Sequence, residues 1–500
     1  METLLEFVGT VEDQAWNWVG IPIIVVVGLV MIVRTRATQI RHVPDMFRAI
    51  TDRAQRDDGG RTRSLSAFQA FVITASARVG TGNIAGVAGA ITLGGAGAVF
   101  WMWVMAIYVA ATAFVESTLA QLYKTRRHDT FKGGPAYYIE RGLGSRRAGV
   151  AFAVVFIFCF ALSFTSLQAN TIVDTVTGAA ESLGVEDTTG LTWGLAIGLA
   201  LATGVIVLAG LRRVAQVAQS VVPAMALLYL ILGVVVVVTN LEQVPGVLNT
   251  IVTEAFDWRA AGGGAFGAAI ANGIQRGMLS NEAGMGSVPN VAATADVSHP
   301  AKQGFVQTLG VYFDTLVVCT ITAFIILVSI PDASEREAIE TQGAELTQVA
   351  LETSLGTIGA VLLALIIFLV AFTSILGNYS YGEANVLFIA DDERIRRIFA
   401  LVLTVVVFLG SLIDVDLAWE IAGVTMVIIA AFNLVVITRL GGTAVQLLRH
   451  YEDQKRRGLE PIFVASDLPE LRGVECWDAE DVAGFARSAE HARQYLTGQA

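Results

Sequence analysis

Two stretches of this 500-residue chain place glycine, hydroxyl, amide and charged side chains inside otherwise apolar surroundings. The first reads TASARVGTGNIAGVAGAITLGG from Thr74 and holds Arg78, Thr81 and Asn83. The second reads GGGAFGAAIANGIQRGMLSNEAGMGSVP from Gly262 and holds Asn272, Gln275, Arg276, Ser280, Asn281 and Glu282. Glycine lowers helix stability by about 1 kcal/mol per residue. Small residues alone would serve close helix packing in lipid. Charged groups inside a span are expensive, and they mark a pathway or an ion pair. At a helix break, free N–H groups can meet an anion, and free carbonyls a cation or an ammonium. An amino acid carries both charges, so two broken helices suit it.

The elements that must carry these stretches follow from composition. Hydrophobic residues make up 54% of the chain, and mean hydropathy is +0.62. Charged residues make up 15%, against about 25% in soluble domains. A helix needs about 20 apolar residues to cross a bilayer, so the chain holds enough for ten or more spans. This excludes a soluble enzyme and a disordered chain. The net charge of −11 excludes a nucleic-acid binder, which needs a basic surface. Cys159, Cys319 and Cys476 cannot make a disulfide framework. No metal-ligand cluster, nucleophile motif or phosphate loop appears, and no GxxxxGK[ST] stretch supports direct use of ATP. The chain therefore reads as no enzyme.

Eleven helices are expected, at 16–33, 66–94, 96–123, 149–180, 190–210, 213–239, 263–289, 303–330, 357–390, 395–413 and 416–439. The first reads as a span rather than a signal peptide, because Glu2, Glu6, Glu12 and Asp13 precede it and no small-residue cleavage site follows. Of the 33 basic residues, 29 fall on one side of the expected alternation and two, Arg259 and Arg336, on the other. Positive loops stay in the cytoplasm, so the N-terminus is expected outside and the C-terminus inside, in the plasma (inner) membrane of a prokaryote. The domains are then an extra helix and basic cytoplasmic loop (1–65), a first five-helix repeat (66–239), an extracellular connector (240–262), a second repeat (263–440) and a cytoplasmic tail (441–500) expected to form a short helical appendage without chemistry. Five spans in the first set invert the second. Interrupted helices at matching positions of inverted halves point to a transporter binding site.

At these segments the sequence resembles the alanine-or-glycine:cation symporter family. VGTGNIAGVA (Val79–Ala88), KGGPAYYIERGLG (Lys132–Gly144) and RGMLSNEAGMGSVPNVAATADVSHPAKQG (Arg276–Gly304) carry the likeness, and FTSILGNYSYGE (Phe372–Glu383) matches in outline. The resemblance implies an all-α polytopic membrane protein with a LeuT-type 5+5 inverted repeat, two discontinuous helices and one extra N-terminal helix. It also implies sodium-coupled uptake of small neutral amino acids, with sodium as coupling ion, no organic cofactor and no obligatory protein partner. Gly80, Thr81, Gly82 and Asn83 then resemble an unwound turn cradling the substrate carboxylate. A break near Gly273 would face the ammonium, and Gln168 and Asn170 resemble polar pocket residues, although both could be interhelical glue. The fold's commonest sodium site would join the carbonyls of Ser76 and Val79 to the hydroxyls of Thr373 and Ser374. Oxygen ligands suit such a hard cation, though the hydroxyls could instead bond the carbonyl four residues back.

Many members of that family carry tryptophan where this chain has Asn378. An asparagine is smaller and its amide both donates and accepts. A roomier pocket, and glutamine or another polar amino acid as substrate, is the alternative expectation. Glu116, Asp174, Asp314 and Glu383 are candidate proton carriers or partners for Arg78 and Arg276, with Glu282 and Glu383 foremost as partners. Either arginine could serve a cytoplasmic gate. Pro300 reads as a helix start, with His299 structural. A channel would use similar polar, broken helices.

Overall fold

The computed structural model describes residues 2–55, 64–127, 130–257, 264–339 and 344–487. Arg56, Arg61, Arg63 and Arg259, used above for orientation, and the tail beyond 487 lie outside the described residues. Thirteen helices organise the chain: α1 (Leu5–Arg34), α2 (Ala67–Arg78), α3 (Thr81–Gly94), α4 (Gly97–Leu122), α5 (Arg146–Ser182), α6 (Thr189–Leu208), α7 (Leu211–Thr239), α8 (Val244–Ala255), α9 (Gly264–Asn281), α10 (Pro300–Ser329), α11 (Thr357–Ile389), α12 (Glu393–Gly410) and α13 (Val415–Arg456). Shorter helices and one hairpin, β1 (Thr125–Arg127) and β2 (Thr130–Lys132), fill the connections.

Each expected span meets a helix. Among the described residues, eight helices are long and apolar enough to cross a membrane: α1, α4, α5, α6, α7, α10, α11 and α13. The remaining three expected spans fall short for visible reasons. The second is split into α2 and α3. The seventh, α9, has 18 residues but carries Asn272, Gln275, Arg276, Ser280 and Asn281 among them. The tenth, α12, carries Glu393, Arg394, Arg396 and Arg397 in its 18 residues. Large apolar side chains stand exposed on the outer helices, among them Leu201 and Val205 on α6, Val234 on α7 and Val405 on α12. Such a belt suits a hydrocarbon solvent rather than water.

The boundaries have local causes. Ser66 and Gln69 form a reciprocal capping box that starts α2, satisfying backbone donors that a helix start leaves open. His299 caps α10 by accepting from Ala301 N at 3.1 Å, with Pro300 in the first turn. That matches its expected structural role. Asp414 caps α13, accepting from Leu417 N at 3.2 Å.

α4 lies at the centre, against α9 and α10, while α3 packs on α9, α5 on α11, α6 on α12 and α1 on α13. Close approach of α4 and α9 depends on Gly273. A Cβ there would sit 2.5 Å from Trp101 Cβ and 2.7 Å from Ala98 O. Helix α9 runs unbroken through this position. The expected break near Gly273 is therefore corrected: this glycine serves packing, and the break comes at Glu282.

The tail carries the short helix expected of it, Ala479–Arg487, but helix α13 continues past 439 to Arg456, and the segment between the two docks onto the bundle. Phe463 and Trp477 are buried. Trp477 Nε1 donates to Gln121 O at 3.0 Å, and Lys124 Nζ lies 4.4 Å from the Trp477 ring and 4.0 Å from that of Phe131. Lys302 Nζ bonds Asp52 at 2.7 Å and Glu460 at 2.5 Å. Asp45, on the short helix Val43–Ala49, meets His42 at 2.7 Å and also bonds Lys455. Burial opposes its ionisation, but His42 and Lys455 prevail and hold the carboxyl at about 2.

Candidate functional site

Halfway along the second expected span, Val79 and Gly80 leave the helix. Val79 ends α2 at φ −72°, ψ 85°, and Gly80 is extended. The interruption is narrower than the unwound turn expected over Gly80–Asn83. Thr81, Gly82 and Asn83 form the first turn of α3. A Cβ on Gly80 would lie 2.8 Å from Ser374 Oγ and 3.1 Å from Gln168 Nε2, so side chains of α5 and α11 close on this point and would have to shift for a larger residue.

The second interruption follows α9. Glu282 takes a left-handed backbone (φ 54°), and Gly284 (φ 85°) and Gly286 (φ 79°) do the same. Left-handed backbone is costly for residues other than glycine, so the loop needs external support. Glu116 of α4 supplies it. Its Oε1 accepts from Gly284 N and its Oε2 from Gly286 N, each at 3.1 Å, and Oε2 also accepts from Asn433 Nδ2 at 2.8 Å. Asn433 donates in turn to Gly284 O at 2.9 Å.

Both interruptions face one cavity, lined by Arg78, Gly80, Thr81, Gly82, Phe164, Gln168, Leu279 and Glu282, with Ala77 and Leu167. Its volume is about 10 Å³, room for about one water. Gln168 Oε1 accepts from Thr81 N at 3.3 Å, and Asn83 Oδ1 accepts from Gly80 N at 3.0 Å. Two amide oxygens thus occupy the positive end of α3. Thr81 Oγ1 has no hydrogen-bond partner among the described residues.

Beside the cavity, Asn83 Nδ2 donates to Asp314 Oδ1 at 2.7 Å and Ser280 Oγ at 3.0 Å. Ser280 Oγ donates to Asp314 Oδ2 at 2.5 Å. Thr315 completes the knot at 3.1 Å. It ties α3, α9 and α10 together, which gives Asn83 a scaffolding position next to the cavity.

Of the four expected sodium ligands, Ser374 Oγ lies 3.1 Å from Ser76 O and 3.0 Å from Val370 O. Thr373 Oγ1 donates to Val370 O at 2.9 Å, beside Met225 Sδ at 3.6 Å. Val79, with its carbonyl, sits at the break itself. Asn378 is buried on α11, and its Nδ2 has no partner among the described residues. It does not line the cavity; its neighbour Gly377 packs on Ala77, where a Cβ would meet Ala77 Cβ at 2.7 Å. Asn170 donates to Ile413 O at 2.6 Å, an interhelical tie rather than a pocket contact.

The buried charges resolve in part. The carboxylates of Glu12 and Glu420 bear on Arg276, whose guanidinium lies 4.8 Å from the Trp419 ring. Neither expected partner, Glu282 or Glu383, takes that place. Glu383 lies 4.0 Å from Arg396. Arg78 donates through Nη1 to Gln307 O at 3.2 Å. Asp174 is exposed rather than buried.

Long apolar helices, packed around two polar interrupted ones that share one cavity, define a polytopic helical membrane protein. The fold is like that in the crystal structure of MhsT in complex with L-phenylalanine, with a TM-score of 0.52 at 15% identity, covering 79% of this chain and 99% of that one. The chain belongs to the sodium:alanine symporter family, which matches residues 1–465. It is 43% identical to the amino-acid carrier protein AlsT of Bacillus subtilis, over 94% of this chain and 97% of the relative. It is 41% identical to the probable sodium/glutamine symporter GlnT of the same organism (96% and 98%). To the sodium/alanine symporter AgcS of Methanococcus maripaludis it is 31% identical (90% and 98%).

Proposed function

We propose that this chain is a sodium-coupled symporter that imports small neutral amino acids, alanine or glycine or a close relative, by alternating access. The observation that carries the reading is the pair of helix interruptions, at Gly80 and at Glu282, converging on one buried polar cavity in a chain of the sodium:alanine symporter family. The eleven helical segments then form one extra helix and two inverted five-helix repeats, 66–239 and 263–440. The N-terminus lies outside, and the tail is cytoplasmic, in a prokaryotic inner membrane. The substrate sits against Gly80, Thr81, Gly82 and Gln168. Asn83 and Ser374 flank it, Asn378 lies one turn beyond Ser374 on α11, and the second interruption replaces Gly273 as the facing element.

Sodium is cargo here, and oxygen donors suit it. Ser76 O and Ser374 Oγ, 3.1 Å apart, are close enough to share one cation, with Val79 O adjacent; Thr373 is the fourth candidate. Coupling requires that sodium and amino acid raise each other's affinity by the same factor. The test is purified protein in vesicles, with labelled alanine and imposed sodium, lithium or proton gradients. Saturable uptake that needs sodium is the expected result. Equal uptake without sodium overturns the coupling, and non-saturable flux would indicate a pore.

One observation favours a larger polar substrate such as glutamine. Asn378 is a buried amide with unspent donors, and GlnT is among the similar relatives. Competition against labelled alanine separates the two. If only alanine and glycine compete, and Asn378→Trp leaves that profile unchanged, the glutamine reading fails.

A further inference from the structure

Arg78 is the last residue of α2, and Glu282 is the first residue after α9. They therefore stand at the two interruptions. Both are buried, at 2% and 3% exposure, and both line the cavity. Each acts on the other's charge, yet no ion pair joins them among the described residues. Each is anchored elsewhere. Arg78 spends Nη1 on Gln307 O, and Glu282 Oε2 accepts from Ser287 Oγ at 2.6 Å. That leaves Arg78 Nε and Nη2 without partners and Glu282 Oε1 without a hydrogen bond among the described residues.

Buried opposite charges held apart are costly, so a site that keeps them open suits a ligand that closes the gap. The unspent Nε/Nη2 edge is the fork that matches a carboxylate. Two other carboxylates act on Arg78, but both are occupied. Glu116 takes three donors from the α9 loop and Asn433. Asp314 takes Asn83, Ser280 and Thr315. Among the described residues, Glu282 is the carboxylate that lines the cavity and keeps an oxygen without a hydrogen bond. The α3 end offers less than a full cradle, because the N–H groups of Gly80 and Thr81 already have acceptors.

We propose that Arg78 and Glu282 receive the two poles of the transported amino acid, Arg78 the carboxylate and Glu282 the ammonium. The substrate thereby completes an ion pair that the protein holds apart. This rests on the amino-acid symporter reading above. With room for only about one water, Gln168 must yield as the amino acid enters. The site should reject molecules that lack either pole. Alaninamide lacks the carboxylate charge, and lactate lacks the ammonium.

The test is equilibrium binding to the full-length protein in detergent at saturating sodium, read by thermal shift with alanine, alaninamide and lactate. The expected result is that Arg78→Gln weakens alanine by roughly 10- to 100-fold, the scale of hydrogen bonds to a charged partner, while leaving alaninamide nearly unchanged. Glu282→Gln should likewise collapse the preference for alanine over lactate. Stabilisation by sodium alone, present in both variants, shows that they are folded. Where a glutamine variant does not fold, Arg78→Lys or Glu282→Asp keeps the charge and shifts its reach, and should still narrow the corresponding preference. Wild-type preferences retained in these variants overturn the proposal. A wild-type protein that binds neither these three nor glutamine overturns the symporter reading itself.

Discussion

Glu116→Gln is the most informative single change outside the cavity. The carboxylate is fully buried and serves three donors, two of them backbone N–H groups of left-handed glycines. A glutamine offers one oxygen and one NH2 group. In the best arrangement its oxygen keeps Gly286 N and Asn433, and the NH2 group confronts Gly284 N–H. One charge-assisted bond is lost, a buried donor is orphaned, and the remaining bonds become neutral, together about 3–4 kcal/mol. Removing a buried charge returns part of this as relieved desolvation, so the expected net loss is on the order of 2 kcal/mol. The loss falls on the loop from Glu282 to Ser287, which builds one wall of the cavity. Thermal unfolding in detergent should drop by a few degrees, and the drop should shrink when alanine and sodium pin the loop. Uptake should slow at every pH without a change in the shape of its pH profile. A variant of wild-type stability with an altered pH profile would refute this reasoning and make Glu116 a proton carrier.

Three further outcomes follow from local geometry. Ser374→Ala removes the hydroxyl beside Ser76 O and should raise the sodium concentration for half-maximal uptake about tenfold or more, whereas Thr373→Ala, whose hydroxyl bonds back to Val370 O, should shift it less than about threefold. The opposite ranking would place the ion on Thr373. Gly273→Ala forces a Cβ into Trp101 and the Ala98 carbonyl and should cost about 1–3 kcal/mol of stability; a stable variant that no longer binds alanine would return Gly273 to the site. Asp45 has a folded pKa of about 2 against 3.8, so its contribution is present above 3.8 and lost as pH falls toward 2. Asp45→Asn should cost about 1–2 kcal/mol at neutral pH, allowing for the part-exposed Lys455, and the difference from wild type should vanish in acid; a constant difference would mean that packing, not charge, holds Asp45.

The helical framework was legible because bilayer-length apolar runs leave little choice of structure. Both interruptions also left marks in the sequence, but not equally clear ones. At Gly80 the glycine has a single use, a close approach to α5 and α11. In the second stretch glycine has two uses, and composition does not separate them. Gly273 lets α4 approach, while Gly284 and Gly286 take left-handed turns. A signal was present: two glycines spaced two apart, shortly after a carboxylate and before Pro289, describe a turn better than a helix interior. The charge partners were not readable. Glu12 comes from the extra helix, and Gln275, next to Arg276, bonds it across 263 positions. No local period encodes such a pair.

The tail shows the same limit from the other side. Its charged residues suggested a short helical appendage, yet the few apolar residues of this polar segment, among them Ile462, Phe463, Trp477 and Val482, are buried. Trp477 reaches Gln121, one turn past Glu116's neighbourhood on α4, and the tail's Glu460 meets Lys302 at the start of α10. The segment thereby grips α4 and α10, which also carry Glu116 and the Asp314 knot beside the cavity. Alternating access requires elements near the cavity to move against one another. A tail fastened to both of these helices favours their moving together, and with them α3 and α9, which the Asn83–Ser280–Asp314 knot ties to α10.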